Sequence, residues 1–214
     1  MEKGLPTVKS KFTKCLFANY KPEDVVGKSI KDKRGGKDNI HSWDIDLKGK
    51  TTKAQRELLD VLLKERRKKK WAQEIGIKWM DGMPLTTEQI RTFYDSPNLQ
   101  AMLDDLVHKG YLAFEHPKAL VDGQRKPDQL KPKGYNIVAG KLSFEFSKIL
   151  DPDALAPTLV AMDVSKLGVV DGDGIRRLTI REGQKLCGYD PDTYDLSMIE
   201  GSEAVDLLGS TVCV

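Results

Sequence analysis

The strongest constraint on how this chain folds is a series of helix signals between Thr51 and Gly110, followed at once by strand signals. Thr51 or Thr52 can cap a helix with Leu58, Leu59, Leu62 and Leu63 on one face, expected to run through Lys70 and stop near Gly76. Thr86-Thr87-Glu88-Gln89 has the spacing of a capping box and reads as a short helix to about Tyr94. Ser96 and Pro97 suit the cap and first position of a third helix, with Leu99, Met102, Leu103, Leu106 and Val107 as its apolar stripe and Gly110 as its stop. Tyr111 to Phe114 then reads as a strand, Glu115 to Gly134 as a Pro/Gly/Lys-rich stretch, and Tyr135 to Val138 as a second strand. Helices closed by such a pair make a winged-helix pattern, which also occurs in proteins that never touch DNA.

The expected class is α+β: a helical winged-helix-like recognition part over residues 39–140, then a small β-rich C-terminal part over 141–214. Residues 1–38 read as a basic, loop-like leading segment ending near Arg34-Gly35-Gly36, and Asn39 to Leu47 alternates enough for a short strand. No apolar run approaches the ~18 residues of a bilayer span, and the first residues contain no signal-peptide stretch. Cys15, Cys187 and Cys213 are widely spaced and odd in number, which suits thiols in a reducing cytoplasm. His41, His108 and His116 do not fall with cysteine at zinc-ligand spacing, so no metal site is expected.

A net charge of +3 conceals an asymmetry: residues 1–140 hold 28 Lys+Arg against 19 Asp+Glu, a net +9, whereas 141–214 hold 7 against 13, a net −6. A basic part of this kind points to a polyanion partner. Its densest stretch is Lys64-Glu65-Arg66-Arg67-Lys68-Lys69-Lys70, where like charges at helical spacing cost stability unless an anion lies near. Phosphate contact is one reading of this stretch; a solvated helix face is the other.

The C-terminal region carries the most specific pattern. Arg176-Arg177-Leu178-Thr179-Ile180-Arg181-Glu182-Gly183-Gln184-Lys185-Leu186-Cys187-Gly188-Tyr189 resembles the R-x-L-T-x-R-E-x-x-R-L-x-G-[FY] block of DNA cytosine-5 methyltransferases, the ninth of that family's ten ordered motifs. Glu203 to Val214 is similar to the tenth, whose core is a Gly-Asn-x-Val turn and strand, with Gly209-Ser210 at the Gly-Asn position. Ala156 to Ala161, containing Thr158-Leu159, looks like the Thr-Leu element of the family's target-recognition domain, and Asp171-Gly172-Asp173-Gly174 is a turn within the strand pair that follows. Trp43, the basic helix and Trp79-Met80-Asp81-Gly82-Met83-Pro84 also resemble the recognition region of a subset of these enzymes.

The resemblance implies that Arg176, Thr179, Arg181 and Glu182 hold the recognition domain at a fixed angle to a catalytic core, Thr179 capping a helix that Gly188 ends. It also implies that Gly209 and Ser210 line a methyl-donor pocket, with a hydroxyl where the family has an amide. The chemistry itself is missing. Adding a thiolate to cytosine C6 is the family's task for a Pro-Cys pair, and here Cys15 follows Lys14, Cys187 follows Leu186 and Cys213 follows Val212. The F-x-G donor loop, the Glu-Asn-Val segment and the Gln-x-Arg-x-Arg segment are absent as well. The chain stops within the tenth block, so the remainder is expected on a partner polypeptide or lost from a shortened product.

The expected function is the DNA-binding recognition portion of a restriction-modification cytosine-5 methyltransferase, acting on double-stranded DNA together with a catalytic half or subunit. S-adenosylmethionine would bind only the completed enzyme. Expected phosphate contacts are Arg34, Lys64, Arg66, Arg67, Lys68, Lys69 and Lys70; the loops around Arg125 and Lys126 are expected to read bases, and the resemblance adds Thr158 and Leu159 as DNA-binding residues. A stand-alone winged-helix regulator and a protein-interaction subunit with a merely solvated positive face are the alternatives.

Overall fold

The computed structural model describes residues 5–33, 36–80, 82–121, 123–139, 144–159, 164–196 and 198–210. They form two compact units: one from residues 1–30, 38–40 and 143–214, the other from 31–37 and 41–142. The first unit holds 12 Lys+Arg against 17 Asp+Glu, a net −5, and the second 23 against 15, a net +8.

The leading segment is not loop-like. Helix α1 (Lys11–Asn19) starts at Ser10, whose hydroxyl accepts the Thr13 N–H while the Thr13 hydroxyl accepts the Ser10 N–H in return. Phe12 and Leu16, one turn apart, are buried, and Phe12 meets the rings of Phe144 and Phe146 at 6.0 and 6.3 Å. Those partners lie far along the chain, so local pattern alone could not expose the helix. Helix α2 (Pro22–Val25) begins on proline, and strands β1 (Ser29–Ile30) and β2 (Asn39–Ile40) pair in parallel.

Strand β2 ends at Ile40, well short of the strand expected to reach Leu47. Turns take over because Asp46 adopts φ 54° and its carboxylate collects the Thr51 N–H, the Thr51 hydroxyl and the Arg56 guanidinium. Desolvation opposes ionisation of the Asp46 carboxyl, yet those hydrogen bonds together hold it below its usual value. Tyr111 pins the same turn, accepting from Lys48 N and donating to the Gly49 carbonyl; burial pushes its phenol up to about 12.

In the second unit, helix α3 (Lys53–Glu65) has a reciprocal capping box between Thr52 and Gln55 and buries Leu58, Leu59, Leu62 and Leu63. It stops at Glu65 instead of reaching Lys70. A turn intervenes before helix α4 (Lys70–Glu74), and Gly76, at φ 66°, follows as the expected stop. Helix α5 (Thr87–Arg91) has the predicted Thr86–Gln89 box. Helix α6 (Leu99–His108) begins two residues later than Pro97, with Asn98 at its cap, and Gly110 at φ 77° ends it. Strand β3 (Leu112–Glu115) pairs antiparallel with β6 (Gly134–Ile137), and the stretch between them folds as a hairpin of β4 (Lys118–Val121) and β5 (Gln124–Pro127). A single bridge joins Leu85 to Tyr135. One core unites Trp43 and the α3 leucines with Leu99, Leu103 and Leu106 of α6, Leu112 and Ile137.

Gly134 is where this unit has no spare room. A Cβ there would lie 2.5–2.7 Å from the backbone of Leu85, which cannot swing aside as a side chain can. Gly134→Ala is therefore expected to break the Leu85–Tyr135 bridge and destabilise the unit by about 1–3 kcal/mol, read as a lower melting temperature. An unchanged melt would show that the bridge is dispensable.

The first unit closes with β7 (Lys148–Ile149), β8 (Leu167–Asp171) and β9 (Gly174–Arg177), giving a mixed sheet in the order β2-β1-β7-β8-β9. The predicted turn at Gly172-Asp173 joins β8 to β9 in antiparallel register. Helix α7 (Ile180–Leu186) and helix α8 (Gly201–Ser210) follow, and Leu159, Val164, Leu167, Cys187 and Leu208 form a core cluster.

Candidate nucleic-acid interface

Because α3 ends at Glu65, the cations of Lys64 to Lys70 do not share one helix face, and they divide into different roles. Arg66 is an internal fastener. It is 4% exposed, its Nη1 donates to Asn136 Oδ1 at 2.7 Å, and Asn136 Nδ2 donates onward to Glu115 Oε1 at 2.7 Å and the Gly82 carbonyl at 3.2 Å. The Arg66 carbonyl accepts the Met83 N–H at 2.7 Å. The expectation that Arg66 contacts phosphate is thus corrected: a guanidinium held inside cannot reach a duplex, and its burial is supported by the polar partner that β6 brings to it.

Lys64, Lys68, Lys69 and Lys70 are exposed and Arg67 is half-buried. Lys68 pairs with Glu65 at 2.5 Å, and the Lys70 ammonium sits 3.9 Å from the centre of the Trp71 ring. Both interactions are local, so neither lysine is withdrawn from solvent. Arg34 lies outside the described residues.

All four residues of β5 are exposed, Arg125 and Lys126 among them. The chain between α4 and α5 links this hairpin to the basic turn. Trp79 donates its indole N–H to the Arg67 carbonyl at 3.1 Å, and its own carbonyl accepts from Arg125 Nη2 at 3.2 Å. Met80 sulfur receives the Lys118 N–H at 3.4 Å. Trp79 is therefore bonded to two basic segments far apart in sequence, through the Arg67 backbone and the Arg125 guanidinium. A cleft of about 350 Å³ beside them is lined by Lys33, Arg66, Glu115, Lys118 and Asn136.

Helix α6 has the opposite character: it carries Asp104 and Asp105 and neither Lys nor Arg. Asp105 accepts from Lys109 at 2.5 Å and from Gln55 at 2.6 Å, hydrogen bonds that hold its carboxyl below the usual range. The turn after α3 and the hairpin, in contrast, present exposed cations.

In the first unit, Thr179 caps α7 as predicted, its hydroxyl accepting from Glu182 N at 3.1 Å while Glu182 Oε2 takes the Thr179 N–H at 2.8 Å. The ion pair is Arg176 with Glu182, bidentate at 2.8 and 2.9 Å, and Arg176 Nε also reaches Asp171 at 2.9 Å. Arg181 stands apart from that pair and bonds Asp192 on the surface. Thr158 is exposed; Leu159 is buried in the core cluster, which corrects its expected place at a DNA surface, since apolar burial is more favourable than exposure there.

Gly209 and Ser210 also differ from expectation. They occupy the last turn of α8, not a turn leading into a strand, and the Ser210 hydroxyl donates to the Asp206 carbonyl of its own helix at 2.8 Å. This geometry does not fit a methyl-donor turn. Thr211 to Val214, the rest of the expected strand, lie outside the described residues. Cys187 is buried at the end of α7, with Sγ 3.7 Å from the Leu208 carbonyl.

Arg176 hydrogen bonds hold the Glu182 carboxyl below its ordinary 4.5 and in return raise the Arg176 guanidinium. A depressed acid stabilises the fold above the unfolded value and loses that contribution as pH falls through the folded one. Glu182→Gln is expected to lower the melting temperature modestly at neutral pH, since the carboxylate is 38% exposed and partly screened. The variant should also show a shallower loss of stability below about pH 4.5 than the wild type. Parallel acid melts that superimpose for the two proteins would refute this role.

Sequence reasoning singled out neither Asn136 nor Glu115, and met Trp79 only within a resemblance. The available signal for Trp79 was its position beside Lys78 in a segment rich in Gly and Pro, where a buried indole is less expected.

Comparison with known proteins sets this geometry beside Type II methyltransferases, and a fragment of such an enzyme fits. The chain is 60% identical over all 214 residues to the Type II methyltransferase M.NlaIV of Neisseria lactamica and 58% identical over the same length to M.NgoBV of Neisseria gonorrhoeae, spanning 50% of each. M.BanI of Aneurinibacillus aneurinilyticus is 39% identical over 188 residues, which is 88% of this chain and 38% of that protein. The chain thus spans about half the length of the first two. No family model and no solved structure matches it. Among the described residues, no helix is long and apolar enough to cross a membrane.

Proposed function

We propose that this chain is the DNA-recognition portion of a Type II, restriction-modification cytosine-5 methyltransferase. It binds double-stranded DNA in the cytoplasm and presents a cytosine to a catalytic part outside these residues. The observation that carries the reading is the joining of Arg67–Lys70 to Arg125–Lys126 around Trp79, on a unit of net charge +8. The order of helix, single bridge at Leu85, two helices, strand, hairpin and strand supports a winged-helix arrangement with β4 and β5 as the wing. S-adenosylmethionine belongs to the catalytic part, and these residues alone transfer no methyl group. Charge placement argues against the stand-alone regulator. Such a protein reads the major groove with its recognition helix, and α6, at that position, presents two aspartates to a polyanion.

The test is equilibrium binding to a short DNA duplex across a series of salt concentrations. Log affinity should fall steeply against log salt, by about 0.9 for each phosphate contacted. A flat dependence would instead support the protein-interaction reading.

A further inference from the structure

The hairpin of β4 and β5 sorts its side chains by face. Its register sets Lys118 opposite Pro127, Ala119 opposite Lys126 and Leu120 opposite Arg125. Successive residues of a strand point to opposite faces, so Arg125 shares one face with Leu120, while Gln124 and Lys126 share the other with Ala119. Arg125 is tied to the body of the unit, because its Nη2 donates to the Trp79 carbonyl at 3.2 Å. Gln124 and Lys126 are exposed, and among the described residues neither side chain has a hydrogen-bond partner. Their full capacity to donate, and that of Gln124 to accept, is left for a ligand.

Resting on the DNA-binding reading above, we infer that Gln124 and Lys126 are the residues of this unit that set sequence preference, Lys126 reading a guanine and Gln124 a base two pairs away, both from the major groove. A two-stranded ribbon enters that groove as a helix does, and the helix at hand, α6, carries two aspartates and neither Lys nor Arg. An ammonium has donors only, which matches the O6 and N7 acceptors of guanine; a side-chain amide both donates and accepts, and so addresses an edge that offers both. Residues i and i+2 of a strand stand about 7 Å apart, which is about two base-pair steps of 3.4 Å. Arg125, on the opposite face, neutralises a phosphate and reads no base.

The experiment selects bound duplexes from a pool randomised at its central positions, using the full 214-residue chain, and then titrates the selected duplex and its single-base variants across salt. The wild type is expected to enrich one sequence. Lys126→Ala should lose about five- to a hundredfold of the discrimination at one guanine position, and Gln124→Ala a similar factor at a position two base pairs from it, each keeping the preference elsewhere. Arg125→Ala, on the same strand but the other face, should weaken binding to all sequences alike and leave the selected sequence unchanged. A melting curve for each variant shows that it folds. If Lys126→Ala lowered affinity equally for every duplex, or if Gln124→Ala selected the wild-type sequence with undiminished discrimination, the reading role would be overturned and DNA binding would stand. Salt-dependent binding by the wild type with no sequence enriched has the same consequence. Absence of salt-dependent binding to any duplex overturns both readings.

Discussion

Arg66→Ala is expected to lower the stability of the second unit by about 3 kcal/mol and to weaken duplex binding, although Arg66 itself reaches no phosphate. The side chain is 4% exposed and holds Asn136, which in turn holds Glu115 and the Gly82 carbonyl. Removing the guanidinium leaves Asn136 Oδ1 without this donor. The bonds from Met83 N to the Arg66 carbonyl and from the Trp79 indole to the Arg67 carbonyl are to backbone and survive the substitution, so weaker duplex binding would follow from the loosened packing around Asn136. Arg66→Lys should recover only part of the loss, because a point charge cannot reproduce the planar fork. Chemical denaturation measures the first effect and duplex titration the second. A variant that denatured like the wild type but bound DNA with a smaller salt slope would return Arg66 to the role of a phosphate contact.

The companion result concerns the half-buried Arg67 with the exposed Lys69 and Arg125. Substituting Arg67, Lys69 and Arg125 together with alanine is expected to reduce the salt slope by about 2.7, at about 0.9 for each phosphate. Near 0.1 M salt this corresponds to about tenfold in affinity for each phosphate no longer neutralised. Sequence preference should not change, because cations on the phosphates position a protein without reading bases. Lys53→Ala is the control: it removes one positive charge from the same unit, at a side chain that is 93% exposed and paired with Glu57 across one helical turn. If Lys53→Ala lowered the slope as much as each residue of the triple variant, net charge and not a defined interface would explain the binding.

The parts of the fold that were legible in the sequence are those stabilised within a few residues. Thr52 with Gln55, Thr86 with Gln89 and Thr179 with Glu182 each form a capping box across three residues, and each was visible as a spacing. Gly110, Gly76 and the Gly172 turn work in the same way, because positive φ is a property of the residue itself. The break at Glu65 was not legible. Between Lys64 and Lys70 no glycine or proline marks a stop, and only the partners Asn136 and Met83, supplied by β6 and by the segment after α4, draw Arg66 inward. The helix at Gly201–Ser210 was missed for a different reason: a short resemblance to a turn-and-strand block outweighed the helical spacing of Ala204, Val205 and Leu208, of which Ala204 and Leu208 are buried.

The candidate site divides along the same line. Its charge was written in composition, and the cation-rich turn and Arg125-Lys126 could both be pointed to in advance. Their meeting around Trp79 could not, because two hydrogen bonds between segments far apart in the chain create it.

By itself, then, the sequence determined where helices begin, where glycine ends them, which portion is basic, and that no cysteine follows a proline. The tertiary structure alone decided that residues 5–30 and 144–210 share one unit, that Arg66 faces inward, and that Trp79 is bonded to both basic segments. The physical reason is range: caps, turns and charge act over a few residues, whereas burial and long-range hydrogen bonds are settled only when distant segments compete for the same space.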